Sequence, residues 1–192
     1  KITIIGAGNT AVAAACFLKT LGLRASSTTA VKNGQNSGIN FRKASGACTG
    51  SFSLESTTDL KTAVHYGDIL LVCTLAADHE TVVSEIAPHL QAHQSILFSN
   101  GCWGALKAYR ALSKRQDNPS DHRGNGQYAL YRRALAGRSE ILIKGIKEEI
   151  AYSAAGDDKA VSAFLHRLAP RVVKPLLRVH FFGTNLSSCT PL

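Results

Sequence analysis

The first hundred residues alternate between short apolar runs and segments whose apolar residues recur at helical spacing. Three runs are almost continuously apolar, which is typical of parallel strands buried on both faces. These runs are Lys1–Ile5, Asp68–Thr74 and Ser95–Ser99. The helical segments between them are Thr10–Leu21, Thr58–Val64 and Asp78–Leu90. Strand, helix and strand in this order predict right-handed crossovers and a doubly wound, mainly parallel α/β sheet.

Weaker patterns predict the remaining elements. Leu23–Thr29 is predicted as a short second strand, Val31–Ser45 as a polar connection with little periodicity, and Gly50–Glu55 as an edge strand. The later predictions are a helix over Ala105–Leu112, strands over Ile141–Ile146 and Glu149–Ala154, a helix over Asp157–Leu168, and a last edge strand over Arg171–Val179.

Length and composition limit the class of protein. The 192 residues suffice for one full domain and a short attachment. A hydrophobic content of 45% and a charged content of 18% argue against a disordered chain. No apolar run approaches the roughly 20 residues that cross a bilayer, so we expect a cytoplasmic protein without a membrane partner. The net charge is +9, but the basic residues are not interleaved with aromatic residues, so no nucleic-acid partner is expected.

The cysteines give no sign of a disulfide framework or a metal site. All five are far apart in the sequence, and none forms a Cys-x-x-Cys pair. Cys16 and Cys73 lie in apolar helix and strand contexts, where buried cysteines act as small hydrophobes. The sequence therefore predicts no metal.

A glycine turn follows the first apolar run. Gly6-Ala-Gly8-Asn9-Thr10-Ala11 joins a β-branched strand to an alanine-rich helix, which is the form of a dinucleotide-binding turn. Gly6 permits the tight turn, Gly8 lets the backbone approach a pyrophosphate, and Ala11 lets the helix pack closely on the strand. The first N–H groups of the helix would face the phosphates. The alternative is an ordinary tight turn between a strand and a helix.

The end of the second strand bears on the choice of cofactor. Folds that prefer NAD place an acidic residue there, where it binds the ribose 2′-hydroxyl. Here Ser27 and Thr28 occupy that end, and Lys32, Arg42 and Lys43 follow. Hydroxyls and cations suit a 2′-phosphate, so the sequence favours NADP over NAD. The alternative is a solvated basic loop.

Two later segments follow predicted strand ends, where open α/β sheets bind ligands. Thr74 is expected beside the phosphate on the nicotinamide side, and His79 lies just beyond it. Trp103, between glycines in Asn100–Gly104, is either a wall beside the nicotinamide or the anchor of a tight turn. The other histidines are scattered and show no acid–base or metal spacing.

Three segments together resemble the N-terminal domain of opine dehydrogenases. They are the glycine turn, the run Asp68–Thr74 with His79-Glu80, and Asn100-Gly-Cys-Trp-Gly-Ala105-Leu106. Ile141–Glu149 is similar to a later strand of that domain. The similarity includes the branch that makes metal-scavenging opines such as staphylopine and yersinopine. The glycerol-3-phosphate dehydrogenase group shares the first motif and less of the rest.

The resemblance implies NAD(P)-dependent reductive condensation of an α-keto acid with an amino-acid-derived amine, in proteins that form homodimers. It also implies a helical second domain that supplies the catalytic histidine and the substrate pocket. We expect residues 1–182 to form the dinucleotide-binding domain and 183–192 to be a residual linker towards an absent domain. Residues before Lys1 are expected to be missing. No catalytic residue is assigned, and we expect the isolated chain to be inactive. The alternatives are a fragment of a glycerol-3-phosphate or ketopantoate-type reductase, and a stand-alone nucleotide-binding module.

The resemblance breaks over Lys114–Arg133. This stretch lacks the apolar run expected for the next parallel strand and is predicted to be a loop. Codons for Asp121–Tyr131 read one base later can spell Ile-Ile-Ala-Glu-Thr-Gly-Asn-Met-Pro-Phe, which resembles the Glu-Thr-x-x-x-Pro turn of opine dehydrogenases. We therefore hypothesise that this stretch is translated out of frame. Loss of the strand would leave an exposed sheet edge and low stability.

Overall fold

The computed structural model describes residues 1–28, 38–99, 104, 108, 110, 112, 123–127, 130–134, 140–152, 159–169 and 171–173. Eleven strands are described. They are β1 Ile2–Ile5, β2 Ala25–Thr28, β3 Gly38–Gly46, β4 Gly50–Thr57, β5 Ile69–Val72, β6 Ser95–Phe98, β7 Arg123–Gln127, β8 Leu130–Ala134, β9 Glu140–Ile146, β10 Glu149–Ala151 and β11 Arg171–Val173. The helices with described bounds are α1 Asn9–Thr20, α2 Leu60–Tyr66, α3 His79–Ile86 and α4 Lys159–His166, with 3₁₀ turns at Ala76–Asp78 and Ala87–His89. Gly104, Ala108, Arg110 and Leu112 are also helical.

Nine strands form one sheet in the order β7-β6-β5-β1-β2-β4-β3-β9-β8. From β7 to β4 every neighbouring pair is parallel, and β1 lies between β5 and β2. The pairs β3–β4 and β8–β9 are antiparallel, while β3–β9 is parallel. The predicted doubly wound, mainly parallel α/β fold of Rossmann type is confirmed.

The core has a layer on each face of the sheet. Ile4 and Ile5 are adjacent in β1 and therefore point to opposite faces. Ile4 packs in the layer that contains the alanines of α1 and the apolar face of α4. Ile5 packs in the layer that contains Val64 of α2 and Val83 of α3. The predicted apolar runs do not alternate with polar residues, because strands that are buried on both faces need no alternation.

The carboxyl end of α2 is fixed by a buried glutamine. The side-chain nitrogen Nε2 of Gln94 donates to the carbonyl oxygens of Val64 at 2.5 Å and Gly67 at 2.7 Å. Its oxygen Oε1 accepts from the backbone N–H of Gln91 at 2.9 Å. Gln94 is 3% exposed, so these bonds satisfy carbonyl groups that water does not reach.

Two predictions around the second strand were wrong. The polar connection predicted over Val31–Ser45 contains most of β3, and β4 lies between β2 and β3 rather than at an edge. β3 pairs with β4 through a hairpin whose turn begins at Gly46, where φ is +89°. β3 escaped prediction because the apolar Phe41 lies on the same exposed face as Lys43 while the buried Ala44 lies on the other, so apolar and polar residues do not alternate along the strand.

The loop predicted over Lys114–Arg133 was also wrong in part. β7 pairs in parallel with β6, and β8 pairs antiparallel with β9. β7 has the sequence Arg-Gly-Asn-Gly-Gln, so it contributes backbone hydrogen bonds without an apolar side chain, which no hydrophobic pattern can reveal. β7 and β8 are the two outermost strands of the sheet. The reading frame of this stretch remains a hypothesis.

The later predictions agree with the described residues. β9, β10 and α4 lie within or close to the predicted ranges, and β11 covers the start of Arg171–Val179. β11 pairs with β10 in a separate two-stranded sheet. Cys16 and Cys73 are buried, as predicted. Asp157, Trp103 and the linker 183–192 lie outside the described residues. Among the described helices none has the length and apolar character that crossing a membrane requires.

Candidate functional site at the carboxyl ends of the strands

Gly6 lies directly after β1 in a conformation that excludes other residues. Its φ is +128°. A Cβ atom at this position would lie 3.2 Å from both the carbonyl carbon and the oxygen of Cys73, and 3.5 Å from Cγ2 of Thr74. The turn therefore passes against the main chain that follows β5, and only glycine fits there without strain.

Gly8 precedes α1 and faces open space. A Cβ atom at Gly8 would have no atom of the described residues within 4 Å, and the backbone is extended, with φ −73° and ψ 177°. No side chain caps the helix, and its first turn has no acidic residue. Asn9 is exposed and Thr10 is half-buried. The first N–H groups and the positive end of the helix dipole therefore have no capping side chain among the described residues, which leaves them available to an anion.

Small residues let α1 lie close to the sheet. Ala11 is 1% exposed, and Ala13 and Ala14 are fully buried. A larger side chain at position 11 would push the helix away from β1, so the role expected for Ala11 agrees with its burial.

The register places the end of β2 beside the glycine turn. Thr28 pairs with Ile5 of β1 on one side and with Thr57 of β4 on the other. Ser27 and Thr28 therefore lie at the carboxyl edge of the sheet, next to the turn, as the sequence predicts. Lys32 lies outside the described residues.

Arg42 and Lys43 are not at this edge. β3 is antiparallel to β4, and Arg42 and Lys43 pair with Phe52 and Ser51, near the amino end of β4. With a rise of about 3.3 Å per residue, Ser51 is roughly 20 Å from the carboxyl end at Thr57. The interpretation that Arg42 and Lys43 contribute to a 2′-phosphate site is therefore wrong, because the reversed direction of β3 moves them away.

Two buried hydroxyls lie at the ends of β5 and β6. Within the part of the chain that the structure describes, Oγ1 of Thr74 and Oγ of Ser99 have no hydrogen-bond partner, although neither atom reaches solvent. Ser99 is 2% exposed, and its N–H donates to the carbonyl of Val72. Buried hydroxyls are normally paired, so these two mark a polar position at the carboxyl ends of β5 and β6. Sequence reasoning missed Ser99, whose signal is a polar residue that ends an apolar strand.

His79 is placed inside the core. It is fully buried, and its ring centroid lies 4.7 Å from that of Phe98. A Cβ atom at Gly104 would lie 2.7 Å from Nδ1 of His79. This close packing supports a structural role for His79.

Asp59 carries a fixed charge at the carboxyl edge. It caps α2, with Oδ1 accepting from the N–H of Lys61 at 3.1 Å and Oδ2 from the hydroxyl of Thr62. The bond from Thr62 is the largest cause that holds the pKa of Asp59 below its usual value. By contrast, burial raises the pKa of Cys16 to about 12, with a further contribution from Cys48, so that thiol stays neutral.

These residues fit a dinucleotide. The glycine turn lies against Cys73, and no described atom lies near the Cβ position of Gly8. The hydroxyls of Thr74 and Ser99, just after β5 and β6, have no partner among the described residues. An anion of pyrophosphate size therefore meets free backbone donors at the first turn of α1.

Comparisons with known proteins agree on the fold. No family model matches the chain, and no curated protein does. Similar solved structures include octopine dehydrogenase with NADH and pyruvate, at 15% identity and a TM-score of 0.70, where 94% of this chain covers 51% of that one. Yersinopine dehydrogenase is similar at 16% identity and a TM-score of 0.60, with 90% of this chain covering 46% of that one.

A third similar structure is the glycerol-3-phosphate dehydrogenase of Coxiella burnetii, at 16% identity and a TM-score of 0.62. There 93% of this chain covers 54% of the other. The chain thus spans about half the length of these proteins. The chain has the doubly wound, Rossmann-type α/β fold that these dehydrogenases share.

Proposed function

We propose that this chain binds a nicotinamide dinucleotide across the carboxyl ends of β1, β2, β4, β5 and β6. The observation that carries the proposal is the junction of β1 and α1. Gly6 lies so close to Cys73 that only glycine fits there without strain, and α1, which follows, has no side-chain cap among the described residues. An ordinary tight turn has no need for both features, whereas a pyrophosphate uses both.

Each residue of the site then has a role. Backbone groups of Gly6, Gly8, Asn9, Thr10 and Ala11 bind or admit the pyrophosphate. Ser27 and Thr28 contact the adenosine ribose, with a 2′-phosphate in NADP or a 2′-hydroxyl in NAD as alternatives. Thr74 lies beside the phosphate on the nicotinamide side.

We further propose that the chain is the cofactor-binding portion of an opine-type dehydrogenase, in the branch that makes metal-scavenging opines. The sequence motifs and the likeness to octopine and yersinopine dehydrogenases support this assignment. The bound cofactor would supply a hydride to the imine formed from an α-keto acid and an amine. This chain's residues would hold the nicotinamide half at the ends of β5 and β6.

Two alternatives remain in other classes. A glycerol-3-phosphate or ketopantoate-type reductase is supported by similar folds at comparable coverage. A stand-alone nucleotide-binding module would need only the proposed dinucleotide site.

A fluorescence titration tests the binding proposal. NADH and NADPH are each added to the purified chain, and ADP is then used to displace them. Saturable binding that ADP reverses is expected, since ADP carries the pyrophosphate and the adenosine. No saturation with either dinucleotide would contradict the proposal.

Sequencing the gene beyond the codon for Leu192 tests the family. An opine-type dehydrogenase requires a following helical domain, and codons over 121–131 that spell the apolar phrase would support the frame hypothesis. A following domain typical of a different reductase would contradict the family assignment. Codons incompatible with the apolar phrase would contradict the frame hypothesis.

A further inference from the structure

The end of β4 lies beside the position where the adenosine ribose is expected. Thr57 of β4 pairs in parallel with Thr28 of β2, so both strands end at the same edge. Asp59 follows Thr57 by two residues, which span at most about 7 Å. Neighbouring strands lie about 4.8 Å apart. The Cα atom of Asp59 is therefore within about 12 Å of that of Thr28.

The carboxylate of Asp59 is held in place and stays ionised. Its oxygens accept from the N–H of Lys61 and the hydroxyl of Thr62, while its own N–H donates to the hydroxyl of Thr57 at 3.1 Å. These bonds keep its pKa low, so it is negative at neutral pH. Asp59 is exposed, and its field therefore extends into the solvent at this edge.

Among the described residues, the two cations that follow the second strand in the sequence lie away from Asp59. Arg42 and Lys43 lie at the opposite edge of the sheet because β3 runs antiparallel to β4. Lys61 is close enough to lower the pKa of Asp59, but its contribution is the smallest of the causes. The described residues around the end of β2 thus include a fixed negative charge.

We propose that Asp59 disfavours a 2′-phosphate on the adenosine ribose, so that the chain binds NAD in preference to NADP. This inference rests on the proposed dinucleotide site and reverses the cofactor preference expected from the sequence. The end of β2 has no acidic residue, but Asp59, which follows the neighbouring strand β4, supplies a negative charge. This charge repels the phosphate dianion of NADP.

The test compares NADH with NADPH, and ADP with adenosine 2′,5′-bisphosphate, by calorimetric titration. Asp59→Asn removes the charge and retains the helix cap, because asparagine caps as well as aspartate does. Asp78→Asn is the matched control. Asp78 is an exposed carboxylate on the nicotinamide side after β5, and its side chain makes no cap hydrogen bond.

The wild-type chain is expected to bind NADH several-fold more tightly than NADPH. Asp59→Asn should lower the ratio of NADH affinity to NADPH affinity about three-fold at low salt. The effect should be smaller at high salt, because salt screens a charge about 10 Å away. Asp78→Asn should leave the ratio unchanged. A wild-type preference for NADPH, or an unchanged ratio in Asp59→Asn, would overturn the inference. If neither ADP nor either dinucleotide binds, the proposed site is itself wrong and the inference is overturned with it.

Discussion

Gly6 and Cys73 are in contact through their main chains: a Cβ atom on Gly6 would lie 3.2 Å from the carbonyl carbon and oxygen of Cys73. This contact joins the turn after β1 to the segment after β5. It holds these two chain segments together at the carboxyl edge of the sheet, where the proposed site lies.

Gly6→Ala should therefore weaken both the fold and cofactor binding. The positive φ and the short contact together are expected to cost about 1 to 3 kcal/mol of unfolding free energy. Thermal unfolding followed by circular dichroism measures the loss. Gly145→Ala is the control, since Gly145 lies within β9 and no atom of the described residues lies within 4 Å of its Cβ position. Equal stability of the two variants would show that the Gly6 contact is unimportant.

Gly8→Asp should separate stability from binding. Aspartate is a preferred N-cap residue and suits the extended backbone at Gly8, so the unfolding free energy should stay constant or rise by a few tenths of a kcal/mol. Its charge would occupy the space proposed for the pyrophosphate, and NADH binding should fall more than ten-fold. Gly8→Ser caps the helix without a charge and should bind more tightly than Gly8→Asp. Matching affinities in wild type and Gly8→Asp would exclude this phosphate site.

Gln94→Leu should destabilise the chain without touching the site. The carbonyl groups of Val64 and Gly67 would lose buried donors, at an expected cost of about 1 to 3 kcal/mol. Chemical denaturation of the wild type and the variant gives the difference. NADH affinity, measured well below the melting temperature, should stay within two-fold of wild type. An unchanged stability would mean that water replaces Gln94 at these carbonyls.

Asp59 should make stability depend on pH in the acid range. Its folded pKa lies below the ordinary value of 3.8, so the unfolded chain takes up the proton first as the pH falls. The stabilisation is present above pH 3.8 and is lost as the pH falls through the lower folded pKa. Melting curves of wild type and Asp59→Asn should therefore converge as the pH falls below the folded pKa of Asp59. A difference that persists unchanged to the lowest pH would contradict this.

The parts of the fold that the sequence predicted are those with a strong apolar pattern. β1, β5 and β6 are buried on both faces, and the glycine turn lies where its motif indicates. β3 escaped prediction because the apolar Phe41 lies on its exposed face, and β7 because its sequence contains no apolar residue. The direction of β3 decides where Arg42 and Lys43 lie, and the register of β4 decides where Asp59 lies. Neither pairing is encoded in a local pattern, so the charge around the ribose position could not be predicted.

Amide hydrogen exchange with and without saturating NADH tests the central claim most directly. The account predicts slower exchange at the backbone N–H groups from Gly6 to Ala11 and at the strand ends around Thr28 and Thr74. The amino edge around Ser51 should show no change. Uniform protection, or protection confined to the amino edge, would contradict a dinucleotide site at the carboxyl ends of these strands.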